Sequence, residues 1–351
     1  MAQAAPATRR LAGIEAARGI AACAVVLYHA SRHVDQAYGF ASGRAALAFG
    51  HAGVDLFFVI SGFIILFVHW EDVGRPARLA HYAGRRVTRV LPAYWVALAL
   101  TILMAMAGGH RAPEVGQLAA SALLLPSDTP PLLGVAWTLQ YEIVFYAAFA
   151  LLILHRGAGR AVFVLWAVAI VLAWAGWRMA ALPGSLTGAY NVEFFLGLGI
   201  AAQLRRGALP AARTVLWVGI LAFAICALAE DAGWIDGYAD TARLLYGPAA
   251  AAVIAGLAEA SRQGRLVPPA LLRVLGSASY AIYLFQFVAI GLLWQVWLHA
   301  GIVPALPHAL LAPIAFIVLS LGGIGGGVLA SALVEKPLLR ALRRAPHAQA
   351  A

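Results

Sequence analysis

Ten apolar windows, each about as long as a bilayer crossing, are joined in this chain by short polar connections. They lie roughly at 12–31, 50–70, 89–108, 132–154, 161–180, 189–204, 213–230, 243–260, 275–298 and 309–334. About 17–25 predominantly apolar residues suffice for a membrane-spanning helix. Hydrocarbon tolerates no backbone polar group without an internal partner, so such windows fold as helices. The fold class is therefore all-α, a polytopic integral membrane protein with about ten transmembrane helices. Composition agrees, with 63% hydrophobic and 11% charged residues, against about 25% charge in soluble domains. Window 189–204 is short, and window 132–154 follows Pro130 and contains Glu142, so a count of nine or eleven is the alternative. The stretch 115–126 is apolar but too short to cross, and is expected to be re-entrant or interfacial. No repeat or low-complexity linker divides the chain. One membrane domain is expected over 1–351, with its helical core at about 11–340 and short tails.

The net charge of +10 would suggest nucleic acid in a soluble protein, but its distribution assigns it to one membrane face. With ten crossings both termini share a side. That side collects Arg9, Arg10, Arg75, Arg78, Arg85, Arg86, Arg89, Arg156, Arg160, Arg205, Arg206 and Arg213, and then Arg262, Arg265, Arg273, Lys336, Arg340, Arg343 and Arg344. These are nineteen of the 25 basic residues; Arg32, Arg44, Arg111, Arg178 and Arg243 fall opposite, and Arg18 lies within the membrane. The positive-inside rule then makes both termini cytoplasmic. Membrane lipids, and no nucleic acid, are the expected partners of this charge. Cys23 and Cys226 fall in apolar runs and are expected to act as small hydrophobes without a disulfide. The first apolar run contains Glu15 and Arg18, so it reads as a retained span of a multi-pass plasma-membrane (inner-membrane) protein, not as a cleaved leader.

Chemistry-bearing residues inside the windows are few. Arg18 and His29 are eleven positions apart, a spacing that returns to within about 20° on a helix at a rise of ~16 Å. A guanidinium in lipid costs on the order of 2.5–3.5 kcal/mol unless it faces a partner or a polar cavity. The shared stripe therefore suggests a binding or reaction path along the membrane normal. Arg86 and Arg89, three apart at the cytoplasmic start of the third window, project together on a helix and suit phosphate oxygens; plain positive-inside topology accounts for them equally. Asp55, in Gly53-Val54-Asp55-Leu56-Phe57, needs a partner in apolar surroundings, for which Arg18 or His29 is the candidate. Glu142 is a second intramembrane carboxylate, able to handle protons if desolvated or simply to neutralise an arginine. Trp137 and Tyr141 beside it have the character of interfacial aromatics. Ser61-Gly62 reads as a close-packing pair, and Glu193 and the run from Ser277 through Tyr283 to Gln286 as lesser candidates. No metal-ligand spacing, Walker loop, dinucleotide fingerprint or nucleophile elbow is present.

Taken in order, these motifs resemble the membrane acyltransferase 3 family. They are Arg18-x10-His29, Gly53 to Gly62, Arg86-x-x-Arg89 before Pro92, Trp137-Thr138-Leu139-x-x-Glu142, Ser279-Tyr280-x-x-Tyr283-Leu284 and Glu335-Lys336-Pro337. The phrase from Ala136 to Glu142 is most similar to the exopolysaccharide acetylase branch. The resemblance implies transfer of an acyl group, usually acetyl from cytoplasmic acetyl-CoA, to a sugar hydroxyl at or beyond the membrane. It implies a carbohydrate or lipid-linked glycan acceptor, with polysaccharide-assembly proteins as further partners and no metal. It places Arg18, Arg86 and Arg89 toward the CoA donor and His29 as general base. Glu142 or Asp55 then orients the base or handles the proton, and Trp137, Tyr141 and Tyr283 face the substrate. Two departures stand out. The family often has His after the Tyr-Leu of the ninth span, where this chain has Phe285-Gln286. Longer members carry an added extracytoplasmic domain, so this chain is expected to complete the transfer itself or hand over to a partner. The competing reading is a transporter or flippase of a lipid-linked sugar, which also lines a membrane path with polar groups; the absence of inverted repeats speaks against it.

Overall fold

The computed structural model describes residues 11–177, 182–300 and 307–344. Arg9, Arg10, Arg178 and the end of window 161–180 lie outside them. Among the described residues all regular structure is helical. The helices are α1 (Ala12–Tyr38), α2 (Ala41–Ala46), α3 (Gly53–Val68), α4 (Leu79–Ala107), α5 (Val115–Ala122), α6 (Trp137–Leu154) and α7 (Arg156–Trp174). They continue with α8 (Gly184–Thr187), α9 (Tyr190–Arg206), α10 (Ala212–Asp231), α11 (Asp240–Arg262), α12 (Ala270–His299), α13 (His308–Ala330) and α14 (Lys336–Arg344).

Among the described residues, eight helical segments are long and apolar enough to cross a membrane. They are Ala41–Val68, Pro76–Ala107, Gly134–Leu154, Arg156–Trp174, Ala212–Asp231, Asp240–Arg262, Ala270–His299 and Ala309–Leu342. The chain is thus a polytopic, all-helical membrane protein. The expected ten would add α1 and α9. The first is diluted by Glu15, Arg18, Arg32 and Asp35, and the second is only 17 residues long.

The chain divides into two compact units, one formed by residues 1–60 and 206–333 and the other by 61–205 and 334–351. In the first, Ala22, Val26, Ala30 and Val34 recur at every fourth position of α1, as burial of one helix face requires. They are packed with Ala278, Ile282, Ile290 and Trp297 of α12 and with Leu311, Ala312, Ala315 and Leu319 of α13. The approach of α1 to α12 is set by glycines. A Cβ on Gly19 would lie 2.7 Å from the Gly276 nitrogen, and one on Gly276 would overlap the Glu15 carbonyl. Small residues let helices associate in lipid, where the hydrophobic effect gives them no drive to do so. A separate apolar groove of about 790 Å³ runs beside α1 along Ala16, Ile20 and Ala24, facing Leu216 and Ile220 of α10. By the helical wheel these α1 residues point roughly 120–160° away from Arg18, so the groove does not share the Arg18–His29 stripe.

In the second unit α4 packs on α6 and α14, and α6 on α7. The stretch 115–126 contains only the short α5, and carbonyls at and just beyond its end are met by side chains. The Tyr94 hydroxyl donates to Ser121 O at 2.6 Å, Trp95 Nε1 to Ala122 O at 2.9 Å, and Gln140 Nε2 to Leu125 O at 2.7 Å. Gly62 is a contact glycine, as expected: a Cβ there would overlap the backbone of Phe194 in α9.

Candidate functional site

The first unit holds Arg18, His29, Asp55 and Tyr283. His29, on α1, is wedged between rings. Its centroid is 4.8 Å from that of Tyr28 in an edge contact and 4.7 Å from that of Phe287. Arg32, one turn further along, spreads its guanidinium toward the faces of Tyr28 and Tyr238, 5.4 and 5.9 Å from their centroids, and donates to the Tyr238 hydroxyl at 3.0 Å. The hydroxyls of Tyr28 and Tyr238 are themselves hydrogen-bonded. His51, in the turn before α3, donates from Nε2 to Glu230 at 2.8 Å, and the Tyr246 hydroxyl donates to the other oxygen of Glu230, also at 2.8 Å.

Asp55 is fully buried, and both its oxygens accept from Nη1 of Arg243 at 2.6 and 2.5 Å. Arg243 also donates to the carbonyl of Gly237. This corrects the placement of Arg243 among the outer-loop charges: it is 3% exposed, and a partner for Asp55 comes from α11. Tyr283 lies edge-on to Phe57 at 5.6 Å. Gln286, at the position where the resembling family often carries His, is buried and donates its amide to the Tyr283 carbonyl at 2.7 Å.

The second unit holds Glu142, Arg86, Arg89, Trp137 and Tyr141. Glu142 on α6 accepts from Ser61 Oγ at 2.9 Å and from the hydroxyl of Tyr146, one turn along its own helix. Arg86 lies over the rings of both Tyr146 and Tyr82, 5.7 and 5.9 Å from their centroids, within cation–π range. The Tyr82 hydroxyl donates to the Tyr146 carbonyl at 3.1 Å, which locks the two tyrosines together. Beyond Arg86 comes His69, just past the end of α3, which donates from Nδ1 to Asp72 at 2.7 Å. Ser61, Glu142, Tyr146, Arg86, His69 and Asp72 therefore form one polar column in this unit. Burial holds the His69 imidazole below its ordinary range, outweighing the contact with Asp72, which acts to raise it.

Arg89 takes a different partner. It donates to Glu335, which is 2% exposed and directly precedes α14. The two arginines share a helix face as expected, but one guanidinium meets aromatic faces and an imidazole and the other a buried carboxylate. Trp137 and Tyr141 are brought together with Tyr190 as a three-ring cluster, with centroids 5.0–5.9 Å apart. The Tyr141 hydroxyl donates to the Gly184 carbonyl at 3.2 Å. Among the described residues no group of three or more His, Cys, Asp or Glu side chains is placed to hold a metal.

Sequence reading passed over His69, Tyr146 and Tyr82. Histidine and tyrosine at span ends are ordinary interfacial residues, and only their convergence on Arg86 gives them meaning. Chemically, the column offers a cation presented on aromatic faces in the first turns of α4, and a hydrogen-bonded carboxylate on α6.

Comparison with known proteins agrees with the motif pattern. Residues 11–332 match the acyltransferase domain, the family Acyl_transf_3. The exopolysaccharide production protein ExoZ of Rhizobium meliloti (strain 1021) is 31% identical over 306 residues, covering 83% of this chain and 90% of that protein. No solved structure matches the chain.

Proposed function

From the chain's membership of the membrane acyltransferase family, we propose that it moves an acetyl group from acetyl-CoA, at the cytoplasmic face of the inner membrane, to a hydroxyl of an exported polysaccharide. The polysaccharide half of this reading rests on the near full-length likeness to a protein of exopolysaccharide production. The donor half rests on one observation, the half-buried polar column that contains Arg86. CoA ends in phosphates, and an Arg fork matches phosphate oxygens better than a point charge does. Arg86 has its guanidinium set over two tyrosine rings and is the main grip in this reading, with Arg89, matched to Glu335, one turn along the same helix.

His29 is the general base. Neutral imidazole is the unperturbed side chain suited to accept a hydroxyl proton near pH 7. In the net reaction the acceptor oxygen bonds to the thioester carbonyl carbon, the carbon–sulfur bond breaks, and the proton taken from the hydroxyl ends on the CoA thiol. Glu142, already bonded to two hydroxyls, is the carboxylate of the second unit that this reading assigns to proton handling. Asp55, matched to Arg243, is a carboxylate held in the same unit as the base. The Trp137–Tyr141 cluster and Tyr283 offer ring faces and hydroxyls of the kind that suit a sugar.

The test is mass spectrometry of surface and secreted glycans from a deletion strain, complemented with the wild-type gene or with Arg86→Lys. An acetyl mass should vanish on deletion, return with wild type and return poorly with Arg86→Lys. An unchanged glycan profile in the deletion strain would refute the polysaccharide as acceptor.

A further inference from the structure

We propose that His69 and Asp72 form a positioning pair that aims the Arg86 guanidinium at the donor's phosphates. The inference rests on the donor reading of Arg86 and adds to it the device that makes the grip directional. Stacking over Tyr82 and Tyr146 fixes the plane of the guanidinium but leaves it free to turn within that plane. A single hydrogen bond supplies the missing direction: Arg86 Nη2 approaches His69 Nε2 at 3.4 Å. Arg86 Nε is buried without a hydrogen-bond partner, so among the described residues His69 alone sets the rotation.

The tautomer of His69 follows from its neighbours. A carboxylate only accepts, so Nδ1 carries the proton toward Asp72; a guanidinium only donates, so Nε2 offers its lone pair to Arg86. With the imidazole 1% exposed and braced by Asp72 at 2.7 Å, its acceptor nitrogen is held in place. Asp72 is also approached by Arg78 Nε at 3.7 Å.

A neutral His69 is required for this arrangement. A proton on Nε2 would remove the acceptor and set a cation against Arg86. The groups facing His69 are Asp72 from the turn after α3, Arg85 and Arg86 from α4, and the rings of Tyr82 and Phe149 from α4 and α6. Burial and the two arginines disfavour the proton, and Asp72 favours it. The sign is then fixed: because the imidazole is held below its ordinary range, about 6.5, the aim persists through that range and is lost only as pH falls further. Donor affinity should therefore carry an acid limb that belongs to the protein. The donor's own phosphates titrate too, but identically for every variant, so comparing variants cancels them.

The experiment measures the dissociation constant of acetyl-CoA for the purified full-length protein in detergent between pH 5.5 and 8, without need of an acceptor. Arg86→Lys should weaken binding tenfold or more at all pH values. His69→Leu should weaken it about tenfold at pH 7.5, the scale of one lost charge-assisted hydrogen bond. His69→Gln, whose amide can rebuild both contacts but cannot titrate, should cost only about two- to threefold and flatten the acid limb. Asp72→Asn should shift that limb to lower pH, because the group that raises the imidazole is weakened. Weakening by Arg86→Lys with His69→Leu within twofold of wild type would overturn the positioning pair and leave the donor reading standing. No weakening by Arg86→Lys would overturn both. Were His69→Leu to misfold, the His69→Gln profile decides: an acid limb identical to wild type refutes the inference.

Discussion

Replacing His29 separates the two duties open to it, positioning and proton transfer. Its neighbours are aromatic rings, Tyr28 and Phe287. Gln in its place keeps size and polarity but cannot take a proton. We expect His29→Gln and His29→Ala alike to lower acetyl transfer by about 10²–10⁴-fold, the usual loss with a general base, while acetyl-CoA binding persists. Radiolabelled transfer and equilibrium binding on the same preparation check this. Near wild-type transfer by His29→Gln would move the base's role to Glu142. At this scale the sequence was informative where polarity is out of place: Arg18, His29, Asp55 and Glu142 stand out because lipid-facing helices rarely carry them. It was mute about partners. Asp55 meets an arginine 188 residues away, and His69 acquires a role only because α3 ends beside α4. Neither distance leaves a trace in spacing along the chain.

Among the elements, α1 shows why hydropathy and function read differently. Glu15, Arg18, Arg32 and Asp35 keep it from standing out as a membrane span by composition, and one of these same residues, Arg18, joins His29 in marking it as a working helix. Its seat is the glycine crossing with α12. A side chain on Gly276 must displace the Glu15 carbonyl, backbone that cannot give way cheaply. Gly276→Leu should therefore destabilise the protein by about 1–3 kcal/mol, the range for overpacking a filled contact. It should appear as a lower thermal midpoint in detergent, with Gly116→Ala, in open space on α5, as the neutral control. A midpoint unchanged by Gly276→Leu would mean that α1 and α12 are not pressed together there. The small residues were visible in the sequence, but which of them touch was not, because glycine and alanine recur throughout the apolar windows.

For the whole molecule, the arginine distribution is the strongest topological argument, with nineteen of 25 basic residues on one side of a ten-crossing arrangement. Reporter fusions after Arg160 and after Arg206 should read cytoplasmic, and a fusion after Asp236 extracytoplasmic; a reversed signal at any of them breaks the count of ten. Helical class and eight of the ten expected span positions were legible because apolar length is a direct physical requirement of the bilayer. The division into two units was not. It falls between Ile60 and Ser61, inside the continuous helix α3, where no proline, glycine run or change of composition signals a boundary.

The Asp55–Arg243 pair also has a history in time. Ribosomes add roughly 5–20 residues per second, so the 188 positions between the two take roughly 10–40 s to make. Throughout that interval α3 has been synthesised while its arginine does not yet exist, and an unmatched carboxylate in hydrocarbon costs up to about 2.5–3.5 kcal/mol. The nascent α3 must therefore wait protonated or sheltered by the insertion machinery. Asp55 meets its partner only once α11 has emerged, and the first unit closes later still, when α12 and α13 arrive to cover α1.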